Sequence, residues 1–217
     1  MTSLEPFVWL IVFVLSVTAH EAAHAWVAYL GGQVTLNPIP HMRREPFGMV
    51  VLPLIGVLTS GFPLGWASTP FDPAWEARYP RRAAWMAAAG PAANFAIALA
   101  SLLFLRAGLA LGFFFEPEIQ KYTHLVAGGV DWIDGMGRFM SMMLVLNTML
   151  CLLNLIPFPP LDGASAITLL LPEQAGLRLR QALRQPGLSL IGLILVWYGF
   201  GVVMRPVLRA VVRLVHA

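Results

Sequence analysis

Three side chains near the N-terminus, His20, Glu21 and His24, have the types and the spacing of a metal-dependent hydrolytic site. On a helix, residues i and i+4 are neighbours, so the two imidazoles face one point and can bind one Zn²⁺. Glu21 then projects beside them, within reach of a water molecule at the metal. Zinc lowers the pKa of such a water towards about 7, and the glutamate can take its proton and later protonate a leaving amine. The pattern therefore indicates peptide-bond hydrolysis.

The surroundings of this group are apolar. The run from Phe7 to Leu30 contains a single carboxylate, Glu21, with the two histidines beside it. A carboxylate and two imidazoles at bilayer depth are costly unless they are paired or bound to a metal. The membrane setting therefore favours a metal site over a polar patch on a helix.

A zinc site needs a third protein ligand, and the candidate is Asp162. Apart from Glu21, it is the carboxylate that lies among apolar residues, and it follows a proline cluster at 157–160. Two histidines and one carboxylate with an open fourth position are the usual composition of a hydrolytic zinc site. Because non-helical backbone inside a membrane is tolerated only where it lines protein or water, we expect an aqueous cavity beside Asp162. The alternative is an ordinary cytoplasmic loop carboxylate after a helix end.

The composition excludes several classes of protein. Of the 217 residues, 58% are hydrophobic and only 12% are charged, and the mean hydropathy is +0.73. So few polar residues cannot cover a water-facing surface, which predicts an integral membrane protein in contact with the lipid bilayer. The net charge of +3 comes mainly from arginines in short connections, a pattern of membrane orientation that predicts no nucleic-acid partner. A single cysteine, Cys151, excludes an intrachain disulfide.

The predicted fold is an all-α polytopic membrane protein with a single membrane-embedded domain, residues 1–217. Four apolar runs are long enough to cross a bilayer as helices. These predicted spans are residues 7–30, 83–111, 136–156 and 188–204.

Two further segments differ from these spans. Residues 47–65 form an apolar run that is interrupted by proline and glycine and contains several β-branched residues, which predicts a re-entrant or β-hairpin segment. Arg205, Arg209 and Arg213 recur every four residues and share one helical face, which predicts a C-terminal amphipathic helix.

The arginines predict an orientation, because Lys and Arg in short loops prefer the cytoplasm. Arginines precede the run 47–65 at positions 43 and 44 and follow it at 78, 81 and 82. Both ends of that run are therefore predicted to be cytoplasmic, which only a re-entrant segment satisfies. The acidic loop Gly112–Gly135 is then external, and the arginines at 178, 180 and 184 are cytoplasmic. The C-terminal arginines fit this rule poorly if the last run crosses completely.

The chain resembles the site-2 protease family of intramembrane zinc metalloproteases. Three motifs carry the resemblance, in the family's order: His20-Glu21-x-x-His24, Gly90-Pro91-Ala92-Ala93-Asn94 and Asn154-x-x-Pro157-x-x-x-Leu161-Asp162-Gly163. The stretches Leu-Asn-Pro at 36–38 and Gly-Trp-Ala at 65–67 are similar to those of compact bacterial members, which have no PDZ or CBS domain.

The resemblance implies a role for each residue that matches a motif. It implies that one Zn²⁺ per chain is held by His20, His24 and Asp162, and that Glu21 is the catalytic acid and base. It implies that Asn94 and Asn154 lie near the site and contact the substrate backbone or stabilise the developing oxyanion, although a membrane asparagine is also often interhelical glue.

One element departs from the family's pattern. Compact members often have His-x-Asp-Pro after the Leu-Asn-Pro element, whereas this chain has His41 followed by Glu45 and Pro46. Glu45 could take over the role of that aspartate, and His41 could border the site or be a solvated loop histidine.

A transmembrane substrate helix must unwind before its peptide bonds can be attacked. An exposed strand edge beside the metal could hold the unwound segment by β-augmentation. We expect residues Gly48–Val57 to supply that edge.

Together these features predict an intramembrane zinc metalloendopeptidase that hydrolyses a transmembrane segment of a single-span membrane protein, as in regulated intramembrane proteolysis. The protein is expected in a bacterial inner membrane, with the active site nearer the cytoplasmic face. One alternative is a non-proteolytic zinc-binding scaffold or chaperone, although a structural site normally has four protein ligands. The other is a proton or ion relay through Glu21 and Asp162.

Overall fold

The computed structural model of the chain describes residues 5–30, 47, 51–60, 73–183, 185 and 187–217. The helices of these residues are α1 (Glu5–Leu30), α2 (Leu52–Ser60), α3 (Pro73–Arg78), α4 (Pro80–Ala110), α5 (Asp131–Asn154), α6 (Gly163–Ala166), α7 (Glu173–Leu183) and α8 (Leu188–His216). Their other regular elements are the strands β1 (Phe114–Phe115) and β2 (Ala127–Gly128) and a 3₁₀ helix (Ile167–Leu170).

Among the described residues, four helices are long and apolar enough to cross a membrane: α1, α4, α5 and α8, with 24 to 31 residues each. At 1.5 Å per residue, a helix of 24 residues is about 36 Å long, and the hydrocarbon core of a bilayer is about 30 Å thick. The prediction of four transmembrane helices is therefore confirmed.

Two of these helices, α4 and α5, begin three or more residues before their apolar runs do, for local reasons. α4 starts at Pro80, where the fixed φ of proline suits the first turn and its missing N–H costs nothing. α5 starts at Asp131 and carries Asp134 in its first turn. Carboxylates at that position interact favourably with the helix dipole.

α4 packs against the three other long helices, α1, α5 and α8. On one side, Val12 and Phe13 of α1 pack with Met142 and Leu146 of α5. A second buried cluster joins Leu105 of α4 to residues of α5, α8 and the segment between α4 and α5. Burial of these large side chains, and not helix propensity, fixes the helices relative to one another.

The connection between α4 and α5 folds into a small antiparallel hairpin. Phe114 of β1 pairs with Gly128 of β2, and Phe115 pairs with Ala127. The ring of Phe114 lies directly against Gly108 of α4, where a Cβ atom would collide with it. The hairpin is thus seated on the end of α4.

The described part of the run 47–65 is helical. α2 has 9 residues, about 14 Å of helix, too short to cross a bilayer. The expected strand edge Gly48–Val57 is therefore wrong for residues 52–57, while positions 48–50 and 61–65 lie outside the described residues. Leucine is a strong helix former, and three of the nine residues of α2 are leucines, which offsets the β-branched residues.

The C-terminal tail is helical, as predicted, but it continues the last span without a break. α8 runs from Leu188 through Pro206 to His216. Met204, Leu208 and Val215 are buried, and their packing keeps the helix in place on both sides of the proline. The three arginines of the tail are exposed, in agreement with their shared face.

α8 passes from one end of the bundle to the other. Near its start, Gly192 lies against the backbone oxygen of Pro159 and the ring of Phe158. Near its end, Leu208 and Val215 join the cluster that contains Phe114 of the hairpin. The C-terminus therefore lies at the hairpin end, and α8 runs the length of the bundle.

Candidate metal centre

His20 and His24 lie one turn apart on α1 and face the same point. Their Nε2 atoms are 3.0 Å apart, and their rings meet edge to face with centroids 4.6 Å apart. Both residues are buried, with 7% and 6% of their surface exposed. The i, i+4 spacing thus produces the convergent pair of imidazoles that the sequence predicted.

Asp162 brings a carboxylate to the same point from a distant part of the chain. Its Oδ2 lies 3.0 Å from Nε2 of His20 and 3.3 Å from Nε2 of His24. Ligand atoms about 2.0–2.1 Å from a tetrahedral Zn²⁺ are about 3.3 Å apart. Two imidazoles and one carboxylate at this mutual spacing fit zinc, and they leave its fourth position open.

The turn after α5 delivers Asp162 to the histidines. α5 ends at Asn154, and two short backbone hydrogen bonds, Phe158 N–H to Ile156 O and Leu161 N–H to Phe158 O, then fold the proline-rich connection. Gly163 lies so close to the last turn of α5 that a Cβ atom would collide with the backbone oxygen of Ile156. The glycine after Asp162 therefore allows the chain to reverse direction and pack closely against the end of α5.

Each of the two histidines forms a hydrogen bond through its Nδ1 atom, on the side of the ring away from the convergence point. Nδ1 of His20 lies 2.6 Å from Oδ1 of Asn94, and Nδ1 of His24 lies 2.7 Å from the backbone oxygen of Met86. The Met86 carbonyl can only accept, and the amide oxygen of Asn94 accepts, so each Nδ1–H donates. Each Nε2 lone pair is then left for a metal.

α4 reaches the centre at Gly90. A Cβ atom there would collide with Nε2 and Cε1 of His20 and come within 2.5 Å of Nε2 of His24. The absence of a side chain at position 90 is what allows α4 to pack directly against the imidazoles. This gives the glycine of the second motif a steric reason.

Asn94 belongs to a buried polar network that reaches three helices. Its Nδ2 donates to Oδ1 of Asn147 at 2.8 Å, and Nδ2 of Asn147 donates to Oγ of Ser16 at 2.8 Å. Asn94, Asn147 and Ser16 are 0% exposed. Sequence reasoning missed Ser16 and Asn147. The available signal was weak: Ser16 lies one turn before His20, and Asn147 is polar inside an apolar span.

Glu21 is also buried, at 8% exposure. Its carboxylate belongs to a group with His20 and His24 in which one ligand atom from each residue lies within 4.8 Å of the others. It is therefore close enough to act on a molecule bound at the point where the imidazoles converge.

Asn154 has a different setting. It is half-buried, and its Nδ2 donates to the backbone oxygen of Leu150 at 3.1 Å. Of the predicted site residues, the structure brings together His20, Glu21, His24, Asn94 and Asp162. His41 and Glu45 lie outside the described residues, as do the stretches 36–38 and 65–67.

The charge of Asp162 is set by its neighbours. Burial alone would raise the pKa of this carboxyl, but the adjoining imidazoles of His20 and His24 outweigh it and lower the pKa to about 2. The carboxylate is therefore ionised at neutral pH, which is the form that ligates a metal.

Comparisons with known proteins match the chain to a family of peptidases. The model of Peptidase family M50 matches residues 8–198. A protein of Bacillus subtilis (strain 168) named "Putative zinc metalloprotease YwhC" is 32% identical over 189 residues, a match that covers 83% of this chain and 76% of that protein. No solved structure matches the chain.

Proposed function

Because the chain belongs to peptidase family M50, the site-2 protease family, and is thus a membrane zinc metallopeptidase, we propose that it is an intramembrane endopeptidase. Its substrate is a single-span membrane protein, which it cuts within the transmembrane segment as a step of regulated intramembrane proteolysis. The whole chain of 217 residues acts as one membrane-embedded protease domain. The zinc-metallopeptidase relative argues against a scaffold or an ion relay.

One observation carries this proposal: the donors of the metal centre meet within the span of an apolar helix, not at its end. His20, Glu21 and His24 lie in the second half of α1. Glu21 is about nine residues, or ~14 Å along the helix, from Leu30. A substrate that reaches this depth does so as a membrane segment.

His20, His24 and Asp162 hold the zinc in this proposal. When bound, zinc acts as a Lewis acid, which makes water more acidic and polarises the carbonyl to be attacked. The donor set is supported by the 3.0 and 3.3 Å separations of the carboxylate from the two imidazoles. The hydrogen bonds at the Nδ1 atoms orient both rings.

Glu21 is the catalytic acid and base. Its carboxylate takes a proton from the attacking water and then gives that proton to the leaving amine. The proximity of the carboxylate to both imidazoles and its burial support this role. Water reaches it from the end of the bundle where α1 and α5 terminate.

The two asparagines of the motifs receive different roles. Asn94 uses its amide oxygen on His20 and its amide nitrogen on Asn147, and no part of it is exposed. We therefore assign it to positioning His20. Asn154 is half-buried and remains the candidate that contacts the substrate backbone or the developing oxyanion.

The active site faces the cytoplasmic side of a bacterial inner membrane. Arg78, Arg81 and Arg82 are exposed at the end of the bundle where α4 begins, the same end at which the metal centre lies. Arginines in short connections favour the cytoplasm.

A cleavage assay tests the proposal. Wild type and Glu21→Gln are reconstituted in liposomes with a single-span peptide, and the masses of the products locate the cut. We expect a cut inside the transmembrane segment by wild type and none by Glu21→Gln. Glu5→Gln, a second carboxylate substitution on α1, should leave cleavage unchanged. Products cut only in the water-soluble tails would contradict the intramembrane activity, and turnover by Glu21→Gln would contradict the role of Glu21.

A further inference from the structure

A groove lined by three cations lies at the hairpin end of the bundle, remote from the metal centre. Lys121, in the connection between β1 and β2, faces Arg209 and Arg213 of α8 across a volume of about 490 Å³. All three side chains are exposed. We refer to this feature as the cationic groove.

The three cations are not neutralised within the part of the chain that the structure describes. The ion pairs of those residues involve none of the three. Glu116 accepts a hydrogen bond from Gln120 at the edge of the groove but is not among its lining residues. Asp134 of α5 pairs with His124 and Arg138. Like charges that converge without a partner favour an anionic ligand.

The groove lies at the level of the lipid headgroups. Arg209 is about 21 residues from the start of α8, or ~32 Å along the helix, which matches a hydrocarbon core of about 30 Å. Tyr122 lines the groove, and Trp132 at the same end is 69% exposed. Exposed Tyr and Trp are typical of the membrane–water interface.

The groove is amphipathic. Beside the three cations, the groove is also lined by the apolar residue Val212, which is half-buried and so keeps part of its apolar surface accessible. A free inorganic anion would use only the cations. A molecule with a phosphate and an attached apolar part would use both surfaces.

We propose that the cationic groove binds the phosphodiester headgroup of an anionic phospholipid. Lys121, Arg209 and Arg213 contact the phosphate oxygens, while Val212 contacts the first carbons of the lipid. Two separate segments of the chain, the hairpin connection and the end of α8, are joined by one lipid. This inference does not depend on the proposed peptidase mechanism.

Lipid retention by the purified full-length protein tests the inference. Native mass spectrometry in detergent compares phosphatidylglycerol with phosphatidylcholine as added lipids. We expect wild type to retain the anionic lipid preferentially. Each cation near a headgroup contributes about 1 kcal/mol to lipid binding, or about fivefold in lipid affinity. The double variant Arg209→Gln, Arg213→Gln should therefore retain the anionic lipid about 25-fold more weakly.

The matched control is Arg205→Gln. It removes the same charge from the same exposed face of α8, one turn outside the lining of the groove, and should leave retention unchanged. Lys121→Gln removes the cation on the opposite side of the groove, which belongs to a different segment of the chain. It is expected to weaken lipid retention about fivefold and can be measured even if the α8 variants do not fold.

Three results would overturn the inference. The first is equal retention of the anionic and the zwitterionic lipid by wild type. The second is an equal loss of lipid retention with Arg205→Gln and Arg209→Gln, which would indicate that the lipid responds to the overall positive charge of the helix end and not to a defined site. The third is displacement of phosphatidylglycerol by millimolar inorganic phosphate, which would identify a free-phosphate site.

Discussion

The metal-centre histidines depend on partners that are not themselves metal ligands. The His20 imidazole is fixed by an amide oxygen of α4, and the His24 imidazole by a backbone oxygen of the same helix. These contacts stabilise the tautomer in which Nδ1 carries the proton, so the lone pair of each Nε2 is available to a metal. Removal of such a partner typically lowers metal affinity by about 10- to 100-fold.

Asn94→Ala should therefore weaken zinc binding about 10- to 100-fold and lower turnover in parallel. It also leaves the His20 N–H and the Asn147 amide oxygen without their partners. Competition with a zinc chelator measures the affinity. Ser101→Ala is the control, because Ser101 is equally buried on α4 but bonds within its own helix, to Ile97. Equal zinc affinity in wild type and Asn94→Ala would contradict this role.

Gly90→Ala should abolish cleavage and zinc binding. The new methyl group would occupy the space of the His20 and His24 rings, although in a helix alanine is ordinarily about 1 kcal/mol more favourable than glycine. Gly199→Ala is the control, since nothing lies within 4 Å of a Cβ at that position of α8. Zinc content and cleavage are measured on both variants, and full activity of Gly90→Ala would show that the helices separate easily.

The residues of the centre differ in how far the sequence could identify them. His20 and His24 are four positions apart, so helical geometry alone brings them together. Ser16, Asn94 and Asn147 meet across three helices. Contacts between residues more than 50 positions apart depend on the packing of the bundle, which no local pattern encodes.

At the scale of elements, a platform of short helices supports the segment that carries Asp162. Arg180 of α7 donates to Glu76 of α3 at 2.9 Å. It also donates to the backbone oxygen of Pro80 and to Oγ1 of Thr168 in the 3₁₀ helix. One guanidinium thus ties α7 to α3, to the start of α4 and to the 3₁₀ helix that follows α6.

Arg180→Met should destabilise the protein by about 3–5 kcal/mol, because it leaves Glu76 as a buried charge without this partner. Denaturant unfolding in detergent measures the effect. Arg178→Gln, an exposed arginine of the same helix, should change stability by about 0.5 kcal/mol or less. Similar effects of the two substitutions would mean that the ion pair contributes nothing beyond an ordinary surface charge.

The elements could be predicted to different extents. The four spans followed from the length and hydropathy of their apolar runs, which do not depend on partners. The hairpin has only two residues per strand and is stabilised by the contact of Phe114 with Gly108 of α4. The sequence does not reveal this contact. In the run 47–65, the expected strand edge is wrong at residues 52–57, which lie in the helix α2, because the leucines of this stretch favour a helix.

At the scale of the whole molecule, the two ends of the bundle differ in function. The metal centre lies in the half of the bundle that contains the end of α1 and the start of α4, and the cationic groove lies where α8 ends. Because α8 runs the length of the bundle, we expect Arg209 and Arg213 to lie on the opposite side of the membrane from Arg78. This arrangement departs from the usual bias of arginines towards the cytoplasm.

The crossing of α8 can be measured by labelling single cysteines with a membrane-impermeant maleimide. Cys151→Ser removes the native thiol, and Ala217→Cys or Arg178→Cys then adds one reporter. We expect intact cells to label the reporter at position 217 and not the one at 178, which should react only after permeabilisation. Labelling of both reporters in intact cells would contradict the complete crossing.

The zinc content of the purified protein tests the central claim most directly, namely that His20, His24 and Asp162 hold the catalytic metal. Elemental analysis compares wild type with Asp162→Ala and with Glu21→Gln, a substitution of the neighbouring carboxylate that ligates nothing in this account. We expect one zinc per chain in wild type and in Glu21→Gln, and a clear loss in Asp162→Ala after dialysis against a chelator. Undiminished zinc in Asp162→Ala, or a loss confined to Glu21→Gln, would contradict the account.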